Sequence, residues 1–285
     1  MDMKTFAVIL LRGMSQVFLL NNVATGILFF AAIGYSSCFM GIGAFIGVLV
    51  GTSTALLLKY DRNDIQQGLY GYNGILVGLS IINFFGFNLP SVLALAFGAA
   101  LSSIIRKGMS VWKVPPYTAP FIISAWIVMS LLIIFNIVPL RAGGVPEARY
   151  VDIIAAVTKG MGQVVFLENI VAGIMVFIGI LVSSRISACY ALLGASIGVV
   201  AAFASPFPLN MINSGMFGFN AVLCGIAFSN RRWTSLILAT VSGMVSVFMM
   251  YGIMKLGVIT LTAPFVLSTW LVLLFSQRVR AKHLL

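Results

Sequence analysis

Charged side chains are scarce: only 8% of the 285 residues are Asp, Glu, Lys or Arg, where a soluble domain carries roughly 25%. Six are acids, and a single histidine, His283, stands near the C-terminus. General acid–base chemistry needs positioned groups of those types, so their shortage argues against an enzyme and leaves no residue for a catalytic role. The three cysteines, Cys38, Cys189 and Cys224, lie inside apolar stretches with neither a CxxC pair nor a metal-ligand spacing. They read as small packing residues, and no metal or other cofactor is expected. No small-residue cleavage site follows the first apolar run, which is therefore expected to stay in the protein.

What remains is apolar. Hydrophobic residues make up 61% of the chain and the mean hydropathy is +1.10, more than a water-soluble fold could bury. The chain reads as an all-α integral membrane protein, with room for about ten crossings at roughly 20 residues each. A formal net charge of +11 does not point to nucleic acid here, because the basic residues stand singly or in pairs between apolar blocks. That distribution suits anionic membrane lipid and topology signals.

The blocks fall at about 5 to 35, 38 to 58, 70 to 86, 89 to 105 and 117 to 138, and again at about 152 to 182, 187 to 206, 216 to 229, 233 to 254 and 260 to 276. A displacement of 147 lays RGMSQVFLLNNVATG (12–26) over KGMGQVVFLENIVAG (159–173) and GLYGYNGILVGL (68–79) over GMFGFNAVLCGI (215–226); a displacement of 144 pairs TAPF at 118–121 with TAPF at 262–265. Three anchors in the same order define an internal repeat: residues 1–138, a linker at 139–150, and residues 151–285.

The first block of each half is too long for one span, and Asn21 and Asn22 interrupt it, so two helices are expected there. The third block is short and glycine-rich and reads as a re-entrant half-helix dipping in and out on one side. Five spans and one re-entrant segment per half turn the second half upside down. The expected fold is two inverted homologous halves, about ten transmembrane helices plus two re-entrant half-helices around a central pore. With the N-terminus cytoplasmic, Arg106, Lys107, Lys113, Arg231, Arg232, Arg278, Arg280 and Lys282 fall inside. Lys59, Arg62, Arg141, Arg149, Lys159, Arg185 and Lys255 fall outside, partly offset by Asp61, Asp64, Glu147 and Asp152.

Glu168 is the sole acid inside an apolar block, with Asn21 as its counterpart. Proton coupling is one reading of an intramembrane carboxylate; a helix-packing hydrogen bond near the break is the other. What the halves share is neutral: Gln16 and Gln163, Asn73 and Asn220, Thr118 and Thr262, beside Tyr72, Leu76, Phe219 and Leu223. Carbonyls left unpaired at the end of a half-helix are tolerated at membrane depth only where they line a cavity. There they form a row of acceptors, and flat or branched apolar side chains narrow the passage to a slot. Such a lane suits a small planar amide, its N–H groups bonded edge-on and its faces against apolar walls. Packing readings compete at each position. Asn73 beside Gly74 could cap and tie a short helix, Tyr72 and Phe219 could pack as other helical aromatics do, Thr118 could satisfy backbone freed by Pro120, and the glutamines could bond between helices.

These elements resemble the urea transporter family, whose repeated LRGxSQVxFxNN, YGxNGxLxG and TxPF motifs stand here as LRGMSQVFLLNN, YGYNGILVG and TAPF, over nearly the whole chain. The resemblance implies passive, channel-like transport of urea, in a homotrimer with a pore in each protomer, within the inner or plasma membrane and with cytoplasmic termini. By the same resemblance Gln16 and Gln163 contact the solute, Tyr72 and Leu76 form one slot and Phe219 and Leu223 the other. Thr118 and Thr262 then sit at the constriction, and Val17, Val164 and Phe166 face the pore. Two departures bear on the wall at one end and on tolerance of other small amides: Phe18 and Leu19 replace an apolar residue followed by phenylalanine, and Tyr72 replaces a phenylalanine. Two further readings stay open, an ion-coupled secondary transporter of a small polar solute using Glu168, and a non-transporting membrane scaffold or receptor. The pore histidines of an ammonium channel and the NPA pair of an aquaporin are absent from the sequence.

Overall fold

Asn21 and Asn22 do interrupt the first apolar block, in a computed structural model that describes residues 2–112, 114–141, 143–144 and 147–282, the last five without their side chains. Lys113, Pro146, His283 and the side chains of Arg278, Arg280 and Lys282 lie outside the described residues. Among those described the chain is all-helical, in the order α1 (Met3–Gln16), α2 (Val23–Ser36), α3 (Cys38–Leu57), α4 (Arg62–Gln66), α5 (Gly71–Phe85), α6 (Leu89–Gly108), α7 (Ala119–Ile134), α8 (Ile153–Gly162), α9 (Ile170–Ser183), α10 (Arg185–Phe203), α11 (Leu209–Asn213), α12 (Phe219–Ala227), α13 (Trp233–Lys255) and α14 (Ala263–Lys282). Four helical stretches are long and apolar enough to cross a membrane: α3, α6 with its 3-10 extension to Val111, α10 and α13. The pair α8–α9, bent by 72°, makes a fifth if it is one span.

The break after α1 follows from local chemistry. Leu19 adopts a left-handed conformation (φ 58°), which ends the helical path, and the Asn22 side chain then accepts from Thr25 N (3.1 Å) to start α2. The second half repeats both steps: Phe166 is left-handed (φ 60°), and Asn169 accepts from Ala172 N (2.6 Å) at the start of α9.

Helices surrounded by lipid gain little from hydrophobic burial between them and rely on close packing instead. The glycines of the repeat provide it. A Cβ added to Gly47 of α3 would lie 2.1 Å from Gly74 O of α5, and one added to Gly194 of α10 would lie 2.2 Å from Ala221 O of α12. The helix axes therefore approach backbone to backbone at equivalent places in the two halves.

Two expectations need correction. The segment 70–86 is not a half-helix that returns to its own side. α5 is a buried helix of 15 residues that starts beside Gln16 and ends where Arg141 N donates to Phe84 O (2.8 Å) and the Phe84 ring meets Phe166 edge-on at 6.0 Å. α6 then runs back, so Lys59–Asp64 and Arg106–Lys107 share one end of the molecule: Arg106 Nη2 is 3.8 Å from Asp64 Oδ2, and Lys107 Nζ is 5.7 Å from the Tyr60 ring centroid. Arg185 moves with them, because Tyr190 OH donates to Asn230 O (2.8 Å) and brings the start of α10 to the Arg231–Arg232 pair. Glycine richness had suggested a short dipping segment. In the structure those glycines serve close packing of a helix that joins both ends.

Candidate functional site: two vestibules and a threonine pair

The two conserved-in-repeat glutamines are positioned by a glycine seat. Gly68 and Gly215 have positive φ (76° and 79°), and a Cβ on either would lie 2.3 Å from the backbone nitrogen of Gly13 or Gly160 respectively. Only glycine allows that approach. It draws the last turn of α1 onto the residues preceding α5, and the last turn of α8 onto those preceding α12. Gln16 Nε2 thereby donates to Gln67 O (3.0 Å) and Gln163 Nε2 to Ser214 O (3.0 Å). Gln163 Nε2 donates also to Glu168 Oε1 (3.2 Å).

Each glutamine opens into a cavity. Gln16 lines one of about 180 Å³ with Leu19, Leu69, Tyr72, Arg106 and Tyr117; Gln163 lines one of about 640 Å³ with Phe84, Phe166, Glu168, Phe219 and Arg141. Tyr72 and Phe84 belong to the same helix and stand roughly 18 Å apart along it, so the two vestibules lie at opposite ends of α5. The Tyr72 hydroxyl donates to Tyr117 O, which holds its ring in the wall of the smaller one.

Between them stand the threonines. Thr118 Oγ1 and Thr262 Oγ1 are 2.7 Å apart and buried, at the start of α7 and of α14. Because the Thr118 hydroxyl is engaged there, it does not cap α7, and the orphan Phe121 N–H needs another acceptor. Asn73 Oδ1 supplies it at 3.1 Å, and Asn220 Oδ1 accepts from Phe265 N at the same distance. Asn73 thus ties a neighbouring helix rather than its own. A crossed clasp fixes the two helices against each other: Trp126 Nε1 donates to Ile259 O and Trp270 Nε1 to Pro115 O, both at 2.8 Å.

The structure therefore brings Gln16 and Tyr72 into one vestibule, and Gln163, Phe166 and Phe219 into the other. Leu76, Leu223, Val17 and Val164 are buried in the common core with the threonines and line neither cavity. Glu168 is corrected: it is not enclosed in an apolar helix but exposed on the turn between α8 and α9, because left-handed Phe166 has already ended the helix. Leu19, which the 147-residue displacement pairs with Phe166, lines the smaller vestibule, where its departure from phenylalanine bears on the wall as the sequence implies. Arg106 and Arg141 were missed, since neither lies in a repeated motif.

Two polar-lipped cavities reaching in from opposite ends of a multi-pass helical bundle toward a shared pair of neutral hydroxyls define a membrane transport protein. The chain belongs to the urea transporter family: the family profile described as urea transporter matches residues 7–277. It is 30% identical over 299 residues to urea transporter 1 of Ovis aries and 29% identical over 299 residues to that of Capra hircus, in both cases spanning 94% of this chain and 76% of the relative. Urea transporter 1 of Rattus norvegicus is 30% identical over 255 residues, spanning 81% of this chain and 65% of the relative.

Proposed function

We propose that the protein conducts urea passively, down its gradient, through a pathway in each protomer that links the two vestibules past Thr118 and Thr262. The observation that carries this reading is the doubled neutral site, with Gln16 and Gln163 each seated at a vestibule and the hydroxyl pair between them. Urea is flat, carries four N–H donors and one strong acceptor, and needs no change of protonation to move. At either end its N–H groups bond the glutamine Oε1 and the carbonyls at Val17 or Val164, just past the last turn of α1 or α8. Its faces rest against Tyr72 or Phe219 at the vestibules, with Phe166 closing the outer wall, and against Leu76 or Leu223 further along the pathway. At the constriction the threonine hydroxyls, which both donate and accept, exchange their mutual bond for bonds to urea. Each lost hydration contact is replaced, so desolvation stays small. An ion gains no such compensation along a neutral lane.

In this reading the architecture is two inverted repeats, residues 1–138 and 151–285, joined by the linker 139–150. The half-helices are α1 and α8, and the ten spans are α2, α3, α5, α6, α7, α9, α10, α12, α13 and α14. Protomers assemble as a homotrimer in the inner or plasma membrane. The end holding Lys59, Arg62, Arg106, Lys107, Arg185, Arg231 and Arg232 is cytoplasmic, as an excess of Lys and Arg favours, and both termini lie there. Ion coupling through Glu168 is disfavoured, because that carboxylate stands at a vestibule mouth and not between the threonines.

Proteoliposomes holding the purified protein should equilibrate urea many times faster than protein-free vesicles, and an imposed pH gradient should not drive urea above its equilibrium level. Flux equal to that of empty vesicles, or accumulation against a urea gradient, defeats the proposal.

A further inference from the structure

Around the two glutamines the hydrogen bonding differs by one carboxylate. Gln16 donates a single bond, to Gln67 O at 3.0 Å, and among the described residues its second N–H and its Oε1 have no partner. Gln163 Nε2 donates twice, to Ser214 O at 3.0 Å and to Glu168 Oε1 at 3.2 Å. A flipped amide would set its oxygen against both acceptors, so these two bonds fix which way the Gln163 side chain faces. Both of its N–H directions are occupied, and Oε1 is what it has left to offer. The position equivalent to Glu168 is Asn21, which makes no hydrogen bond to Gln16 among the described residues.

We infer that Glu168 is a positioning residue that makes Gln163 a hydrogen-bond-accepting contact at the mouth of the larger vestibule, beside Arg141. By accepting the Gln163 N–H that Ser214 O does not take, it leaves Gln163 Oε1 and its own second oxygen for solutes that arrive with N–H groups, and withholds the Gln163 donor from solutes that carry only an oxygen acceptor. The solutes selected at this end are small primary amides. Gln16, with a donor and an acceptor both free, makes the smaller vestibule the less selective of the two. The inference rests on the reading that a solute passes from one vestibule to the other.

The test uses the full-length protein in proteoliposomes sorted by orientation, with urea presented at one end at a time and formamide or acetone as competitor. In the wild type, formamide should compete at the Glu168 end and acetone should not, whereas both should compete at the Gln16 end. Glu168→Ala should raise the half-saturating urea concentration roughly three- to tenfold, the value of one hydrogen bond, at the Glu168 end alone, and should let acetone compete there. Glu168→Gln keeps an acceptor for Gln163 and should return half-saturation to within about twofold of the wild type, while its own amide N–H groups let acetone compete. Asn21→Glu should carry the behaviour to the other end by lowering half-saturation there. The inference is overturned if Glu168→Ala matches the wild type, if it acts equally at both ends, or if Glu168→Gln raises half-saturation as Glu168→Ala does. A wild-type protein without urea flux would bring down the transport reading itself, whereas normal wild-type flux with any of those outcomes removes only the role given to Glu168.

Discussion

Thr118 and Thr262, 144 positions apart in the chain, meet through their buried hydroxyls at 2.7 Å. The contact sits where the two halves cross. Each threonine opens a helix that is held by an asparagine of its own half and clasped by a tryptophan of the other.

Removing one hydroxyl should leave its partner buried and unpaired, at a cost of about 1–2 kcal/mol, while removing both with isosteric valine should recover most of that. Thr118→Val and Thr262→Val are each expected to lower the melting temperature in detergent, and the double variant to melt near the wild type. Urea flux should fall about tenfold or more in all three, since the exchangeable bond is lost in each. A double variant with wild-type flux would show that the hydroxyls are packing groups only.

Close packing of α3 on α5 and of α10 on α12 allows no methyl group between them. Gly47→Ala and Gly194→Ala place a Cβ 2.1–2.2 Å from a carbonyl oxygen and should each cost about 3 kcal/mol or more by forcing the helices apart. Gly252→Ala, with nothing within 4 Å of the added carbon, should be neutral or slightly stabilising through helix propensity. Thermal unfolding of the three purified variants checks the contrast.

Asn73→Ala removes the acceptor for Phe121 N at the start of α7 and should destabilise by about 1–3 kcal/mol, the desolvation penalty of an unpaired buried N–H. Asn220→Ala should do the same at Phe265. Were the asparagines chiefly solute ligands, flux would drop with no loss of thermal stability.

Tyr72→Phe deletes the bond to Tyr117 O and makes the wall of the smaller vestibule resemble that around Phe219. Stability should drop by about 0.5–1.5 kcal/mol, and urea flux should persist. Flux of acetamide or methylurea should rise, because the ring is no longer held in place; comparing initial rates of the three solutes measures it.

Much of the site could be read from the chain because repetition reveals position. Gln16 with Gln163, Asn73 with Asn220, and Thr118 with Thr262 are found by sliding one half over the other, and each pair occupies equivalent places in the fold. Where the halves differ, that signal fails. Arg106 and Arg141 stand in no repeated motif, and Glu168 stands where the other half has Asn21, so alignment of the halves marks it as different without saying where it points. The path of α5 was misread because glycine content reports how closely a helix is approached and not how far it travels.

Membrane residence, helical character, the doubling of the chain and the identity of its neutral polar pairs were determined by the sequence alone, since each depends on composition or on order along the chain. Which loops share an end, that two threonines touch, and that one glutamine has both N–H groups engaged were decided by tertiary structure. Those are distances between groups far apart in sequence, set by how closely glycines let helices approach and by which acceptors that approach brings within reach.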